Sequence, residues 1–417
     1  MSSPADASST THGRAAFQYR DFRFYQLARL FSIVATEAQS TAIAWQVYEI
    51  TRSPLSLGYV GLAQFLPGIL LSIPAGHTAD RFDRRRILQF CNFGNLICSL
   101  LLLTYVLRGA HTVEPIYAIL VLTGIIRAFS GPASQSLLPQ MVKKEHFPNA
   151  VAWGSSVFML ATILGPAVGG GIYAIANGPI LVYGVGAVLY LATFIFITLL
   201  HVRTGRMEHK ETSVHTLFAG FRYVWEKKII LGSISLDLFA VLLGGAVALL
   251  PVVADQILHV GPWGLGMLRS APAVGAGLMG GLVAFRPIRK KAGAIMLWCV
   301  AIFGISTVVF GLSRSFWVSL VAMLVLGASD MVSVIIRSTL VQIATPPEMR
   351  GRVSAVNLLF IGASNEFGQF ESGLTAHWFG TIPAVVIGGV GSVIVVVMWA
   401  LLFPALRKVD RLETAHE

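Results

Sequence analysis

Seven ionisable side chains lie inside stretches that are otherwise apolar: Glu37, Arg127, Asp237, Asp330, Arg337, Glu366 and Glu371. A lone charge in hydrocarbon costs several kcal/mol or is neutralised, so each needs a partner or a function. A carboxylate kept from water can take up and release a proton near neutral pH. Glu37, Asp237, Asp330 and Glu366 are therefore candidates for carrying a coupling proton. The competing reading is structural: a buried pair such as Arg127 with Glu37 would lock helices and move nothing. For Arg127, latch and proton relay stand equal. Asp330 and Arg337 are seven apart on one helical face and can share a polar stripe. Glu366 and Gln369 are neighbours on one face, near Ser364 and Asn365, whereas Glu371 points elsewhere.

The elements that position these charges follow from composition. The chain has 417 residues, 55% hydrophobic and only 12% charged, where soluble domains carry roughly 25% charged residues. Apolar runs near the ~20 residues a helix needs to cross a bilayer recur along the whole length. They fall at 26–49, 55–77, 87–108, 114–136, 149–173, 178–200, 230–254, 262–285, 292–313, 316–340, 353–376 and 381–404. This predicts an all-α polytopic membrane protein with twelve transmembrane helices. The domains expected are an N-terminal arm (1–25), a six-helix bundle (26–200), a linker (201–229), a second bundle (230–405) and a tail (406–417).

The net charge of +11 is not gathered on one face, which argues against nucleic acid. Lys and Arg instead punctuate the ends of the apolar runs. Of 31, 24 fall on the side holding both termini and the even-to-odd loops, and only Arg52, Arg108 and Arg314 on the other. The positive-inside rule then places both termini in the cytoplasm. The linker stretch from Val214 to Trp225 has apolar residues at helical spacing and is expected along the membrane surface.

Cys91, Cys98 and Cys299 sit in apolar runs as small hydrophobes, so no disulfide framework is implied. The polar first 25 residues lack the apolar core of a signal peptide. No metal-ligand spacing and no nucleotide-cradling Gly-x-x-x-x-Gly-Lys appears, so an enzyme, a cofactor, a metal and ATP drive are not expected.

The halves read as repeats. Gly76, Arg81, Arg84, Arg85 and Arg86 are matched 205 residues later by Gly281, Arg286, Arg289, Lys290 and Lys291. Ala150-Val151 matches Ala355-Val356 at the same offset, and Leu138-x-Gln140 matches Leu340-x-Gln342 at 202. A duplicated six-helix unit in parallel orientation can enclose a mid-membrane cavity and rock around it. Gly76 at a helix end would let two backbones approach closely, and Asp80 and Arg84, four apart, would pair on one helical turn.

At these residues the chain resembles the major facilitator superfamily. Gly76–Arg86 looks like its signature between the second and third helices, and Arg127-Ala-Phe-Ser-Gly131 like its helix-four Arg motif. Gly165-Pro166-Ala-Val-Gly169-Gly170 is similar to the motif associated with antiporters. Trp45-Gln46-Val47-Tyr48, Ala79–Arg85 and Pro347–Val353 resemble the branch containing the enterobactin exporter. Asp83 departs from the glycine common in the wider superfamily.

The resemblance implies a monomer working by alternating access, with the first, fourth, seventh and tenth helices lining the cavity. It also implies that the signature loop latches the halves when the cavity faces outward. The latch residues are then Gly76, Asp80, Arg81, Arg84, Arg350 and Arg352, the helix beginning near Arg350 attracting Asp80 by its dipole. Phe285 stands where Asp80 would be in the second copy, so the latch should close through Asp80 alone. Trp45, Gln46, Asn365 and Gln369 are candidate substrate contacts, and Phe24, Phe31, Phe65 and Phe239 can stack on an aromatic substrate or simply pack.

The expected function is proton-coupled export of a small organic compound, such as a siderophore or drug, across the inner membrane. Lysophospholipid movement is the alternative within transport; a non-transporting membrane sensor or scaffold is the alternative of another class.

Overall fold

The computed structural model describes residues 15–109, 111–202, 214–288 and 290–410, the side chains of 72, 73, 80 and 214–218 excepted. Among the described residues there is no strand, and each of the twelve expected spans is helical. The first six are Arg20–Thr51, Pro54–Leu70 with Ser72–Arg81, Arg84–Leu107, Glu114–Leu137, Phe147–Ala176 and Ile180–Thr198. A linker helix, Val214–Glu226, precedes the second six. These are Lys228–Leu243 with its continuation, Gly261–Phe285, Ala292–Leu312, Phe316–Ile343, Arg350–Phe379 and Thr381–Leu402.

Nine helices among the described residues are long and apolar enough to cross a membrane by length and composition. The first and eleventh spans, outside that count, carry the polar residues singled out above. The second span is broken at Leu71.

Two compact units are present, Met1–Ala42 with Leu66–Lys210 and Ile43–Phe65 with Glu211–Glu417. The core of the first gathers Phe22, Tyr25, Leu88, Leu137 and Ala150. That of the second gathers Leu236, Met296, Ile336, Leu340 and Leu406.

Three local features differ from the sequence expectation. The charged hinge at Gly76–Arg86 is mostly helical, since the second span continues to Arg81 and only Phe82 and Asp83 lie between helices. The seventh span stops at Leu243 and resumes through short 3-10, α and π turns from Ala246 to Ile257. Gly244 and Gly245 make this break possible, and Gly245 sits so close to the Gly368 carbonyl that a Cβ there would lie 2.5 Å from it. The linker helix, expected along the membrane surface, packs one face on the start of the eleventh span. Val224 joins Val353 and Val356 in a buried cluster, and Tyr223 donates to the Ala344 carbonyl at 3.1 Å.

Candidate functional site

The signature stretch is built around two backbone demands. Asp83 caps the third span, its carboxylate accepting the Arg85 N–H at 2.9 Å, as an acid at a helix N-cap should. Arg84 is only 5% exposed and donates to the carbonyls of Ala79 (3.4 Å) and Ser136 (3.1 Å), tying the second, third and fourth spans together. Arg85 donates to the Thr198 carbonyl at the end of the sixth span. The helix ends at Arg81, so Asp80 and Arg84 belong to different helices, and the expected Asp80–Arg84 pair lies outside the described residues because the Asp80 side chain is not among them. The close approach expected at Gly76 is not made among the described residues: a Cβ there meets none of them within 4 Å. Arg81 is exposed. In the second unit Arg350 donates to the Thr345 carbonyl at 3.1 Å, and exposed Arg352 lies 3.4 Å from the Met349 sulfur.

The antiporter-type motif meets the first span. Gly165, Pro166, Gly169 and Gly170 are all buried in the fifth span. A Cβ on Gly165 would strike the stem of Glu37, and one on Gly169 would lie 2.5 Å from the Ala38 carbonyl. Two features named separately from sequence, Glu37 and the glycine motif, thereby meet through the Glu37 stem. Either side of Glu37 the first span is tied to its neighbours: Thr36 bonds the Tyr190 hydroxyl at 2.9 Å, and the Gln39 amide donates to Ser99 at 2.7 Å. Arg127 is exposed and Glu37 half-buried, where the sequence reading allowed for a buried pair.

In the second unit Asp237 and Arg337 form a salt bridge between the seventh and tenth spans. Arg337 is 2% exposed and is the largest fully buried side chain. Two charges leaving water cost several kcal/mol each, offset here by each other. Arg337 is thus spoken for by another helix, and the polar stripe expected with Asp330 is replaced by that cross-helix pair. Asp330 is partly buried.

Glu366 and Gln369 are joined as their spacing implies, the Gln369 amide donating to Glu366 at 3.2 Å. Sequence reasoning missed what covers them. A Cβ on Gly61 of the second span would lie 3.2 Å from Gln369 and 3.4 Å from the Glu366 carboxylate. One turn away Gly58 and Gly373 bring the two helix backbones together, a Cβ on Gly373 lying 3.0 Å from Gly58. Gly58 and Gly61, three apart, were the available signal, since small residues at that spacing let helices approach. Glu371 is held by Thr375 at 2.7 Å.

Of the candidate substrate contacts, Trp45 and Gln46 are buried and Asn365 is exposed. The Trp45 indole donates to Glu49, four residues on, at 2.6 Å. The aromatics named from sequence pack on other rings: Phe24 and Phe31 on Phe196, Phe65 on Phe367, Phe239 on Trp399. Two further residues went unremarked. Gln26 is 3% exposed with neither amide atom hydrogen-bonded among the described residues, and Arg29 lies over the ring of Phe158. An amide buried without partners costs about 1–3 kcal/mol.

This architecture is that of a membrane transporter. Residues 11–416 match the model of the transmembrane secretion effector family, and the chain belongs to that family, within the major facilitator superfamily. Over 93% of its length it is 24% identical to the enterobactin exporter EntS of Citrobacter koseri, covering 92% of that protein. The staphyloferrin A transporter of Staphylococcus aureus is 30% identical over 32% of this chain and 34% of its own. Among solved structures, the nucleoside transporter NupG aligns with a TM-score of 0.74 at 14% identity, covering 92% of this chain and all of that one. A bacterial homologue of the iron transporter ferroportin aligns with 0.69 at 15%, covering 93% and 99%. At such identities these structures speak for the fold.

Proposed function

We propose that the chain is a proton-coupled exporter of a small organic compound, a siderophore in the first instance, seated in the inner membrane with both termini cytoplasmic. The observation that carries the coupling is the seating of Glu37 on Gly165. The stem of an acid inside the membrane rests against the glycine of the antiporter-type motif, so the side chain that bears the carboxylate sits where the first and fifth spans pack. Protonation removes the cost of keeping that carboxylate out of water, and deprotonation restores it. Glu366, beside Gln369 and under Gly61, is the second candidate for the same role. Asp237 is bound to Arg337 and is assigned to structure instead. The Asp80 latch remains part of the proposal through its position at the end of the second span. The enterobactin-exporter relative supports the direction, and the 24-to-3 charge asymmetry supports the orientation.

The test is substrate-dependent proton movement in everted vesicles, with enterobactin as the first probe. Substrate should collapse an imposed pH gradient in the wild type and not in Glu37→Gln. Undiminished proton movement in Glu37→Gln would remove Glu37 from the mechanism. Substrate movement without any proton movement would remove the coupling.

A further inference from the structure

We infer that Gln26, Arg29, Gly154 and Phe158 form a subsite for an anionic group of the transported compound. The four residues lie within the first compact unit, on the first and fifth spans. Gly154 is buried, and its missing side chain is what lets the polar groups converge. A Cβ there would lie 2.9 Å from Arg29 Nη1 and 3.6 Å from Gln26 Nε2. Arg29 lies three residues after Gln26, so the two share a helical face. The guanidinium carbon lies 6.0 Å from the centroid of Phe158, whose ring is 48% exposed.

The chemistry of the set selects its ligand. Arg29 is half-buried in a membrane helix, and none of the ion pairs formed among the described residues involves it. Gln26, nine-tenths buried and more, is aimed at the same glycine, and neither amide atom has a partner among the described residues. A guanidinium and an amide N–H₂ that converge on one point both donate, so they fit a carboxylate or a comparable oxyanion. The Gln26 carbonyl remains to accept from a hydroxyl or amide on the same compound. Phe158 offers a flat apolar neighbour to the rest of it, and an aromatic or extended apolar body suits that face. The nearby Tyr25 hydroxyl is already engaged with Ser134 at 2.7 Å and leaves Arg29 and Gln26 to the ligand. The ligand class is an organic anion with an aromatic body.

This inference rests on the transporter reading for the identity of the ligand, and its test is read without transport. Purified full-length protein in detergent is examined by saturation-transfer difference NMR, with benzoate and its neutral isostere benzamide as probes. Benzoate should give transfer to its ring protons at concentrations where benzamide gives little. Arg29→Gln should weaken benzoate binding by about tenfold or more, the scale of a lost charge-assisted hydrogen bond, and erase the preference over benzamide. Arg29→Lys, which keeps the charge, should retain part of it. Gly154→Val should block both probes by filling the convergence point, with the melting temperature of each variant recorded alongside. Equal binding of benzoate and benzamide, or a preference that survives Arg29→Gln, would overturn the subsite. Either result would do so even in a chain that exports actively, and a chain that fails to move protons would leave the subsite standing.

Discussion

The start of the third span and the start of the ninth carry basic residues that recur 205 positions apart, yet they are finished by different parts of the chain. In the first copy the cap is local: Asp83 stands immediately before the helix and accepts the Arg85 N–H. In the second, Lys291 takes the left-handed conformation (φ 57°), and no acid precedes it. The tail supplies what is missing. Asp410 accepts the Lys291 N–H at 3.0 Å through its carboxylate and the Ala292 N–H at 3.3 Å through its carbonyl, and Val409 accepts the Gly293 N–H at 3.1 Å. Leu406 and Val409 are buried against the same helix start. The first N–H groups of any helix have no partner within it, so both copies face one demand. The difference teaches that the shared basic quartet does not define a shared local structure. Arg84 of the first copy is a buried tie between helices, whereas Arg286 and Lys290 of the second are exposed.

The largest expected effect is where the second unit hides its charge more deeply than the first. Arg337→Leu leaves Asp237 buried without its partner and should cost about 3–5 kcal/mol, read as a fall in melting temperature in detergent. Pairing it with Asp237→Leu should recover most of that loss, because the buried charge goes too. Next comes Arg84→Ala, the deepest charge of the first unit's copy, with an expected cost of about 2 kcal/mol for its two carbonyl contacts. If Arg84→Ala proved neutral, the tie would be no more than a positive-inside charge. Asp83→Ala and Asp410→Ala should each cost about 1 kcal/mol, and the double variant should show their sum within about 0.5 kcal/mol, the two caps being separate. A large excess in the double variant would mean the two copies act as one device. Smallest is Arg52→Ala at the sparsely charged side. The Arg52–Asp255 bridge is 2.7 Å long, but the arginine side chain is 60% exposed, and the loss should stay below about 1 kcal/mol.

What was legible in the sequence was whatever the bilayer or a single helix dictates. Twelve spans could be placed because hydrocarbon demands long apolar helices. Glu366 with Gln369 could be paired because three residues bring side chains to one face. Arg337 shows where that reasoning stops: spacing put it on one face with Asp330, but its ion-pair partner Asp237 lies on another helix, and only packing decides that. The single helix assumed for Asp80 and Arg84 failed because four-residue spacing holds only if the helix continues, and Asp83 begins a new one. Asp410 as a cap was out of reach, standing 119 residues from the N–H it accepts. The meeting of Glu37 with Gly165 lay between these cases: each residue was marked, and only the fold joined them.

The buried turn at Leu406 and the cap from Asp410 also set an order of assembly. The ninth span leaves the ribosome more than a hundred residues before the groups that finish its first turn. At roughly 5–20 residues per second, that helix start waits several seconds with unpaired N–H groups while three further spans are made. The second unit therefore completes only once residue 410 has been synthesised, and a chain arrested or cut before that point should enter the membrane yet remain open to quality-control proteases.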